Sequence, residues 1–261
     1  MIRISTWNVN SLRVRLPHVL QWLKTEQPDV LALQETKLQD ADFPEAAIRE
    51  TGYHIAYSGQ KTYNGVALLC KTEPQNIISS LPDYDDTQKR VLCAEVSGIT
   101  ILNLYVPNGS EVGSEKYLYK LNWLSHLRPF LRALLDRSRY IVVLGDLNIA
   151  PEDRDVHDPA AWEGSVLVSE PERDEFRKLL AAGLKDCFRL FTQEPGYYSW
   201  WDYRAASFRR NLGLRIDHIL ANDTLAALCR GCRIDKGPRK LEQPSDHAPV
   251  LADFDIMIAD H

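Results

Sequence analysis

The chain has 261 residues, of which 44% are hydrophobic and 26% charged, with a formal net charge of −5. This is an ordinary soluble globular composition with enough length for a sizeable core, and the acidic balance argues against a dedicated polyanion binder. No apolar run is long enough to span a bilayer, and Met-Ile-Arg-Ile-Ser-Thr-Trp at the start is a strand pattern and not a signal peptide, so the cytoplasm is the expected location and no membrane the expected partner.

Taken in chain order, Ile2–Val9 reads as a strand, and Leu16–Thr25 has helical spacing with Pro17 in its first turn. Val30–Gln34 is a buried strand with Glu35 directly after it. Glu45–Thr51 makes a short helix. Tyr53–Tyr57, Gly65–Cys70, Val91–Val96 and Ile99–Val106 make four strands, the last two joined by Ser97-Gly98 as a hairpin turn. Ser114–Asp136 is a long amphipathic helix. Ile141–Leu144 is apolar throughout, a strand buried on both faces, and it runs into Gly145-Asp-Leu-Asn148. Glu172–Ala182 is a further helix, and Arg215–Leu220 and Ala248–Phe254 close the chain as strands. No repeat, low-complexity segment or Gly/Ser linker interrupts this order, so residues 1–261 read as a single domain. The strands outnumber what one parallel sheet needs, and many neighbours look antiparallel. Two sheets packed face to face with helices outside, an α+β arrangement, is the expected layering.

Two local features are weighed separately. Five scattered cysteines (Cys70, Cys93, Cys187, Cys229, Cys232) fit reduced thiols, and Cys229-Arg-Gly-Cys232 lacks the second pair or histidine that a metal site needs. From Trp201 to Lys240 nine Lys/Arg stand against four Asp, a local +5 that leaves −10 for the rest of the chain. Such a segment is either solvated surface or a basic face able to follow a phosphate backbone.

The strand ends carry the functional signal. Side chains alternate along a strand, so Asp146 and Asn148 point the same way while Leu147 turns to the core. Alone, that is also a common turn. But Asn8 and Asn10 end the first strand, Glu35 the second, Tyr105 and Asn108 the strand before the long helix, Asp217 lies in a strand pattern, and Asp246-His247 precedes the last strand. Six strands each bring a polar group to a terminus, and a sandwich that gathers its loops at one edge would join them. Glu35 and Asp246 are hard oxygen ligands suited to Mg²⁺ or Mn²⁺, with Asn8 able to add an amide oxygen or hold a water. His247 suits a phosphoryl contact or a proton shuttle, with Asp217 to hold its ring. Asp146 would orient or deprotonate water, Asn148 would fix that water or the phosphate, and Tyr105 would donate to the phosphate or leaving group. Together these parts describe metal-assisted in-line hydrolysis of a phosphodiester.

The ordered set Trp7-Asn-Val-Asn10, Leu33-Gln-Glu-Thr-Lys37, Tyr105-Val-Pro-Asn108, Gly145-Asp-Leu-Asn148, Leu214-Arg-Ile-Asp-His218 and Ser245-Asp-His-Ala-Pro249 resembles the exonuclease III branch of the endonuclease/exonuclease/phosphatase superfamily. Ser58–Ala67 and Tyr198-Ser-Trp-Trp-Asp-Tyr-Arg204 resemble it too, and the likeness spans Ile4 to Phe254. The resemblance implies a four-layer α/β/β/α sandwich and a Mg²⁺-dependent monomer acting on double-stranded DNA with damaged or free 3′ ends. It implies 3′→5′ removal of nucleotides, trimming of blocked 3′ ends and cleavage at abasic sites. Glu35 becomes the principal metal ligand with Asn8, Asn10 and Asp246 close by, and the side of Asp146, with Asn148 and His247, is a second place for the metal. Asp146 resembles the general base or acid. Tyr105 and Asn108 would contact the phosphate, and Asp217 would pair with His247. Trp200, Leu214 and Ile216 fall where the family lines a pocket for a swung-out sugar.

One segment departs from that pattern. Relatives that cut well at abasic sites often carry a small residue followed by Phe before the Pro-Glu-Arg helix start. Here Ser165-Val-Leu-Val-Ser-Glu-Pro171 puts Leu167 at the small position. A bulky side chain there would hinder a flipped sugar and weaken abasic incision. Two rivals share parts of this pattern. An inositol-phosphate phosphatase or sphingomyelinase would share the Glu, Asp-x-Asn and Ser-Asp-His core, and a catalytically inactive DNA-binding module would share the fold. The Leu-Arg-Ile-Asp spacing, the Trp-Trp-Asp-Tyr-Arg motif and the basic segment favour DNA over the former. Intact Glu35, Tyr105, Asp146, Asn148 and His247 disfavour the latter.

Overall fold

The computed structural model describes residues 1–256. Its strands are β1 (Ile2–Asn8), β2 (Val30–Gln34), β3 (His54–Ser58), β4 (Val66–Cys70), β5 (Gln75–Ile78), β6 (Val91–Val96), β7 (Ile99–Tyr105), β8 (Ile141–Asp146), β9 (Leu184–Asp186), β10 (Asp217–Asn222), β11 (Cys229–Ile234) and β12 (Val250–Phe254). The α-helices are α1 (Leu12–Glu26), α2 (Glu45–Arg49), α3 (Glu115–Arg137), α4 (Pro159–Trp162), α5 (Glu170–Ala181), α6 (Ser207–Arg210) and α7 (Asp223–Ala226). Two six-stranded sheets result, ordered β11-β12-β1-β2-β4-β3 and β5-β6-β7-β8-β10-β9. Among the described residues only β1–β2 and β7–β8 pair in parallel, and the other ladders are antiparallel.

Alternation along the strands builds the four layers. In β1, Ile2 and Ile4 face the second sheet while Trp7 faces Leu12, Val19, Trp22 and Leu23 around α1. In β8, Val142 and Leu144 face the first sheet while Ile141 and Val143 pack on Trp123, Leu127 and Leu131 of α3 and Phe176 of α5. Both faces of each central strand are therefore covered, which is why these strands read as unbroken apolar runs. Ser97 (φ +50°) and Gly98 (φ +75°) close the β6–β7 hairpin with two left-handed residues, the turn whose twist suits a hairpin.

Three strands escaped the hydrophobic pattern, and all three are sheet edges. β5 is mostly exposed, β9 has three residues, and β11 carries two arginines and a bulge between Cys229 and Gly231. An edge has one partner and partial exposure, so its residues need no core signature. Helix α1 begins at Leu12, not Leu16, and Pro17 lies inside it. Its early start is held by tertiary pairing, since Ser11 N–H donates to Glu35 O (2.8 Å) and Leu12 N–H to Thr36 O (2.9 Å). Strand β10 also starts later than expected, at Asp217 and not Arg215, because Arg215 is drawn inside to pair with Asp155 and Asp186 at 2.7 Å each.

His218 lies in that buried knot, against Arg215 and with Nε2 2.9 Å from Ile149 O. Burial first, and the Arg215 charge second, push its imidazole down to about 4. The folded value lies below the unfolded one, so the unfolded chain binds more protons between pH 6.5 and 4 and stability falls as pH drops through that window. His218→Gln is expected to flatten this loss, about 3 kcal/mol at full extent, in denaturant midpoints measured from pH 7 to 4. An unchanged slope would place the acid sensitivity elsewhere.

Candidate active site

The inward-facing rows of the central strands change from apolar to polar at one edge of the sandwich. Val142 and Leu144 are followed by Asp146, and Ile99 and Ile101 by Asn103 and Tyr105. Strand register then sets neighbours: Tyr105 pairs with Asp146 in the parallel β7–β8 ladder, and Asp146 with Asp217 in the antiparallel β8–β10 ladder. Three polar side chains thus stand abreast at a spacing of about 5 Å. The facing sheet offers Asn8 at the end of β1 and Glu35 just past β2. Below them a buried polar layer ties the sheets together. Gln34 Nε2 donates to Thr6 Oγ1 and Asn103 Oδ1 (2.8 Å each), and Asn103 Nδ2 donates to Leu33 O and Ala67 O (3.0 Å each).

Asn8 spans the two walls. Its Nδ2 donates to Asp146 Oδ2 (2.8 Å) and Glu35 Oε2 (3.0 Å), while its Oδ1 accepts from Asn10 N–H (2.9 Å). Asn8, expected to add an amide oxygen or hold a water, presents its amide N–H₂ to the carboxylates. Asn10 Nδ2 donates to Asp246 Oδ1 and Trp200 Nε1 to Asp246 Oδ2, both at 2.9 Å. Burial would raise the Asp246 carboxyl, but His247 and these two donors hold it below the usual carboxylate range. Lys37, which the motif reading left without a role, lies 3.0 Å from Glu35 Oε1 and donates to Asn10 Oδ1 at 2.7 Å.

On the other wall His247 Nδ1 meets Asp217 Oδ2 at 2.8 Å, and its Nε2 lies 3.8 Å from Asp146 Oδ2. Burial alone would lower the imidazole; the Asp217 and Asp146 charges and the Asp217 hydrogen bond outweigh it and lift the group to about 10. Asp146 is pushed up to about 7, chiefly by burial and then by Asp217 and Glu35, against the pull of His247 and Asn8. The Tyr105 phenol is held well above its ordinary value by burial beside Glu35 and Asp146, so it is a neutral donor. The Arg90 guanidinium sits 4.7 Å over the Tyr105 ring.

Asn148 leaves the strand at φ +50°, its N–H bonded to Asp146 Oδ1 at 3.0 Å, while Leu147 enters the core. Its side chain donates to Val106 O (2.9 Å) and accepts from Asn108 Nδ2 (3.2 Å). Leu167, Leu214 and Ile216 share one apolar cluster with Ala150, Val156 and Val168, against which Trp200 packs. Glu35, Lys37, Asn10, Asn148 and Leu167 all have positive φ, a concentration of unfavourable backbone typical of functional sites. Two serines that lie in the motifs but received no role there are positioning residues: Ser199, whose Oγ accepts from Asp217 N–H (3.0 Å), and Ser245, whose Oγ donates to Asn8 O (2.7 Å).

Asp146, Asp217 and His247 bring ligand atoms within 4.8 Å of one another, a cluster that can hold a metal. The Asp217 and Asp146 charges favour the imidazolium form of His247, while the carboxylate oxygens of Glu35 and Asp246 are donors suited to a hard cation. Asp217 Oδ1 is buried and has no hydrogen-bond partner among the described residues. The basic segment is not one open face. Arg215 and Arg239 are buried, and Arg204, Arg230 and Arg233 pair with Asp202, Asp255 and Glu26. Arg209, Arg210 and Lys240 remain exposed.

Buried carboxylates, a carboxylate-held imidazolium and a neutral phenol at the edge of a two-sheet sandwich are the equipment of a hydrolase. A model of the Endonuclease/Exonuclease/phosphatase family matches residues 5–247, and the chain belongs to that family, in its exonuclease III/AP endonuclease branch. It is 38% identical over 267 residues to exodeoxyribonuclease III of Haemophilus influenzae, covering 97% of this chain and 100% of the relative. Among solved structures, the 3′ phosphatase NExo from Neisseria bound to a product DNA hairpin matches with a TM-score of 0.97 and 47% identity, over 98% of this chain and 100% of that one. An AP endonuclease from Archaeoglobus fulgidus matches with a TM-score of 0.95 and 41% identity, over the same shares of 98% and 100%. The fold is the four-layer sandwich of that branch, and the protein is a nuclease.

Proposed function

We propose that the protein is a Mg²⁺-dependent DNA repair nuclease that removes nucleotides and blocking groups from 3′ ends of duplex DNA and incises abasic sites poorly. The observation that carries the hydrolytic part is the Asp217–His247–Asp146 line, facing Glu35 through Asn8. Glu35 and Asp246 would hold Mg²⁺, with Mn²⁺ an equivalent by donor chemistry, and the ion would draw charge from the phosphate. Asp146, whose proton affinity burial raises toward neutrality, accepts the proton of the attacking water. Asn148 orients that water, Tyr105 donates to the phosphate or leaving oxygen, and the His247 imidazolium, held by Asp217, neutralises charge on a non-bridging oxygen. Residues 1–261 act as one domain and one monomer.

The substrate preference rests on Leu167. Its side chain is buried in the apolar cluster of Leu214 and Ile216, so the space where a sugar would swing out is already filled. That the relatives include both a 3′ phosphatase and an AP endonuclease makes the choice a matter of such local side chains. The test uses two labelled duplexes with Mg²⁺, one with a recessed 3′ end and one with an internal abasic analogue. Wild type is expected to degrade the first and leave the second nearly uncut. Leu167→Gly is expected to raise abasic incision about tenfold or more, with 3′-end removal changed far less. Comparable turnover on both duplexes by wild type removes the Leu167 argument; no Mg²⁺-dependent cleavage of either removes the metal-dependent reading.

A further inference from the structure

Helix α3 carries a charge where its core-facing row should be apolar. Tyr117, Lys120, Trp123, Leu124 and Leu127 recur at helical spacing on the buried face, and Lys120 is fully buried, 0% exposed. A lysine is almost never found in such a place unless it is paired, because the desolvation of an ammonium costs several kcal/mol. All three of its donors are used. Lys120 Nζ donates to Asn108 O (3.1 Å), to Asn148 O (2.6 Å) and to Glu172 Oε1.

Glu172 extends the arrangement. It lies in the first turn of α5, is also fully buried, and accepts from Leu167 N–H (3.0 Å), Ser169 N–H (3.2 Å) and Ser169 Oγ (2.6 Å). Ser169 Oγ in turn meets the Tyr117 hydroxyl at 2.7 Å. One ion pair therefore ties together the loop after β7, the loop after β8 and the segment before α5. Those are the carriers of Asn108, Asn148 and Leu167. Neither buried charge touches the reaction site, and each reaches it only through backbone.

Resting on the nuclease reading, we propose that Lys120 is a positioning residue: its ammonium sets the separation of Asn108 and Asn148, and Glu172 locks the Leu167 segment to that pair. Stability alone does not call for this device. A buried ion pair replaced by neutral groups of similar volume is often neutral or stabilising. What apolar groups of similar volume cannot do is hold two loop carbonyls and a third segment's N–H at one point. A shift of about 1 Å in a water-orienting amide can cost on the order of a hundredfold in turnover.

The experiment compares wild type with Lys120→Met/Glu172→Gln, which removes both charges and leaves no buried ion unpaired. The double variant is expected to melt within about 5 °C of wild type. Its kcat on a recessed 3′ end is expected to fall about tenfold to a hundredfold, with KM changed by less than about threefold. A folded double variant with wild-type kcat would show the pair to be structural only and overturn the proposal. If the double variant does not fold, Lys120→Arg carries the test, since it keeps the charge but alters the reach to the two carbonyls. Reduced kcat at an unchanged melting temperature then supports the proposal, and wild-type kcat overturns it. If wild type itself cleaves no DNA, the nuclease reading fails on its own. The side-chain amide resonances of Asn108 and Asn148 then decide: shifted in whichever variant folds, they support the positioning role, and unmoved they overturn it.

Discussion

Asp146→Asn is expected to lower turnover on a recessed 3′ end by about 10²–10⁴-fold, with KM and melting temperature close to wild type. The substitution keeps the shape of the side chain and an oxygen able to accept the Asn148 N–H now bound at 3.0 Å. It removes a buried carboxylate whose proton affinity lies near neutrality, pushed up to about 7 by burial and by Asp217 and Glu35. A general base is useful when its proton affinity matches the working pH, and an amide has none to offer. The new N–H₂ also meets the Asn8 Nδ2 donor, which stands 2.8 Å from Asp146 Oδ2. Removing a charge from a buried position relieves desolvation, which offsets this donor–donor conflict and the weaker hold on His247, which Asp217 still pairs. Single-turnover rates beside a thermal melt make the check. Turnover within a few-fold of wild type in a folded variant would remove Asp146 as proton acceptor.

Gly145→Ala is expected to cost about 4 kcal/mol or more, which for a chain of this size lowers the melting temperature by about 10 °C. Gly145 has φ +135°, and a Cβ built on it would lie 1.9 Å from Leu104 O in the neighbouring parallel strand. Both atoms belong to backbone in the middle of the sheet, so neither can move without breaking the β7–β8 ladder that sets Tyr105 beside Asp146. Gly98→Ala is the internal control. Gly98 has φ +75° but no atom within 4 Å of the added carbon, so only left-handed strain of about 1–2 kcal/mol is expected. Equal losses for the two variants in denaturant midpoints would show that conformational strain, not strand approach, explains Gly145.

Much of the site was legible because it is made by alternation. Period-two reasoning assigns Asp146 and Tyr105 to the inner face once the apolar residues before them are assigned, and it sends Leu147 to the core. Motif reading also named Glu35, Asp217, Asp246 and His247, which the fold gathers at one edge. It gave no role to Lys37, Ser199 or Ser245, although all three lie within the motifs. Each acts through a few hydrogen bonds whose important partners are distant in sequence, and single polar residues of these types are common everywhere. Lys120 was hidden for a related reason. In sequence it is one charged residue in an amphipathic helix, and its burial depends on Glu172 arriving from another helix. The basic excess between Trp201 and Lys240 was open to two readings, and sequence could not show that Arg215 and Arg239 place their charge inside the protein.

The sequence by itself determined which strands are central, which of their residues face inward, and which chemical groups stand at their ends. These are local properties, set by backbone geometry and by the apolar run that each strand must bury. Only the tertiary structure decided which groups become partners. That His247 bonds Asp217 while facing Asp146, that Asn8 turns its N–H₂ and not its oxygen to the carboxylates, and that β5, β9 and β11 complete the sheets all depend on long-range packing. Register between strands far apart in the chain, and the choice among competing hydrogen-bond partners, are settled when the two sheets close over a common core. No stretch of sequence carries that information alone, because the free energy that selects it belongs to contacts between stretches.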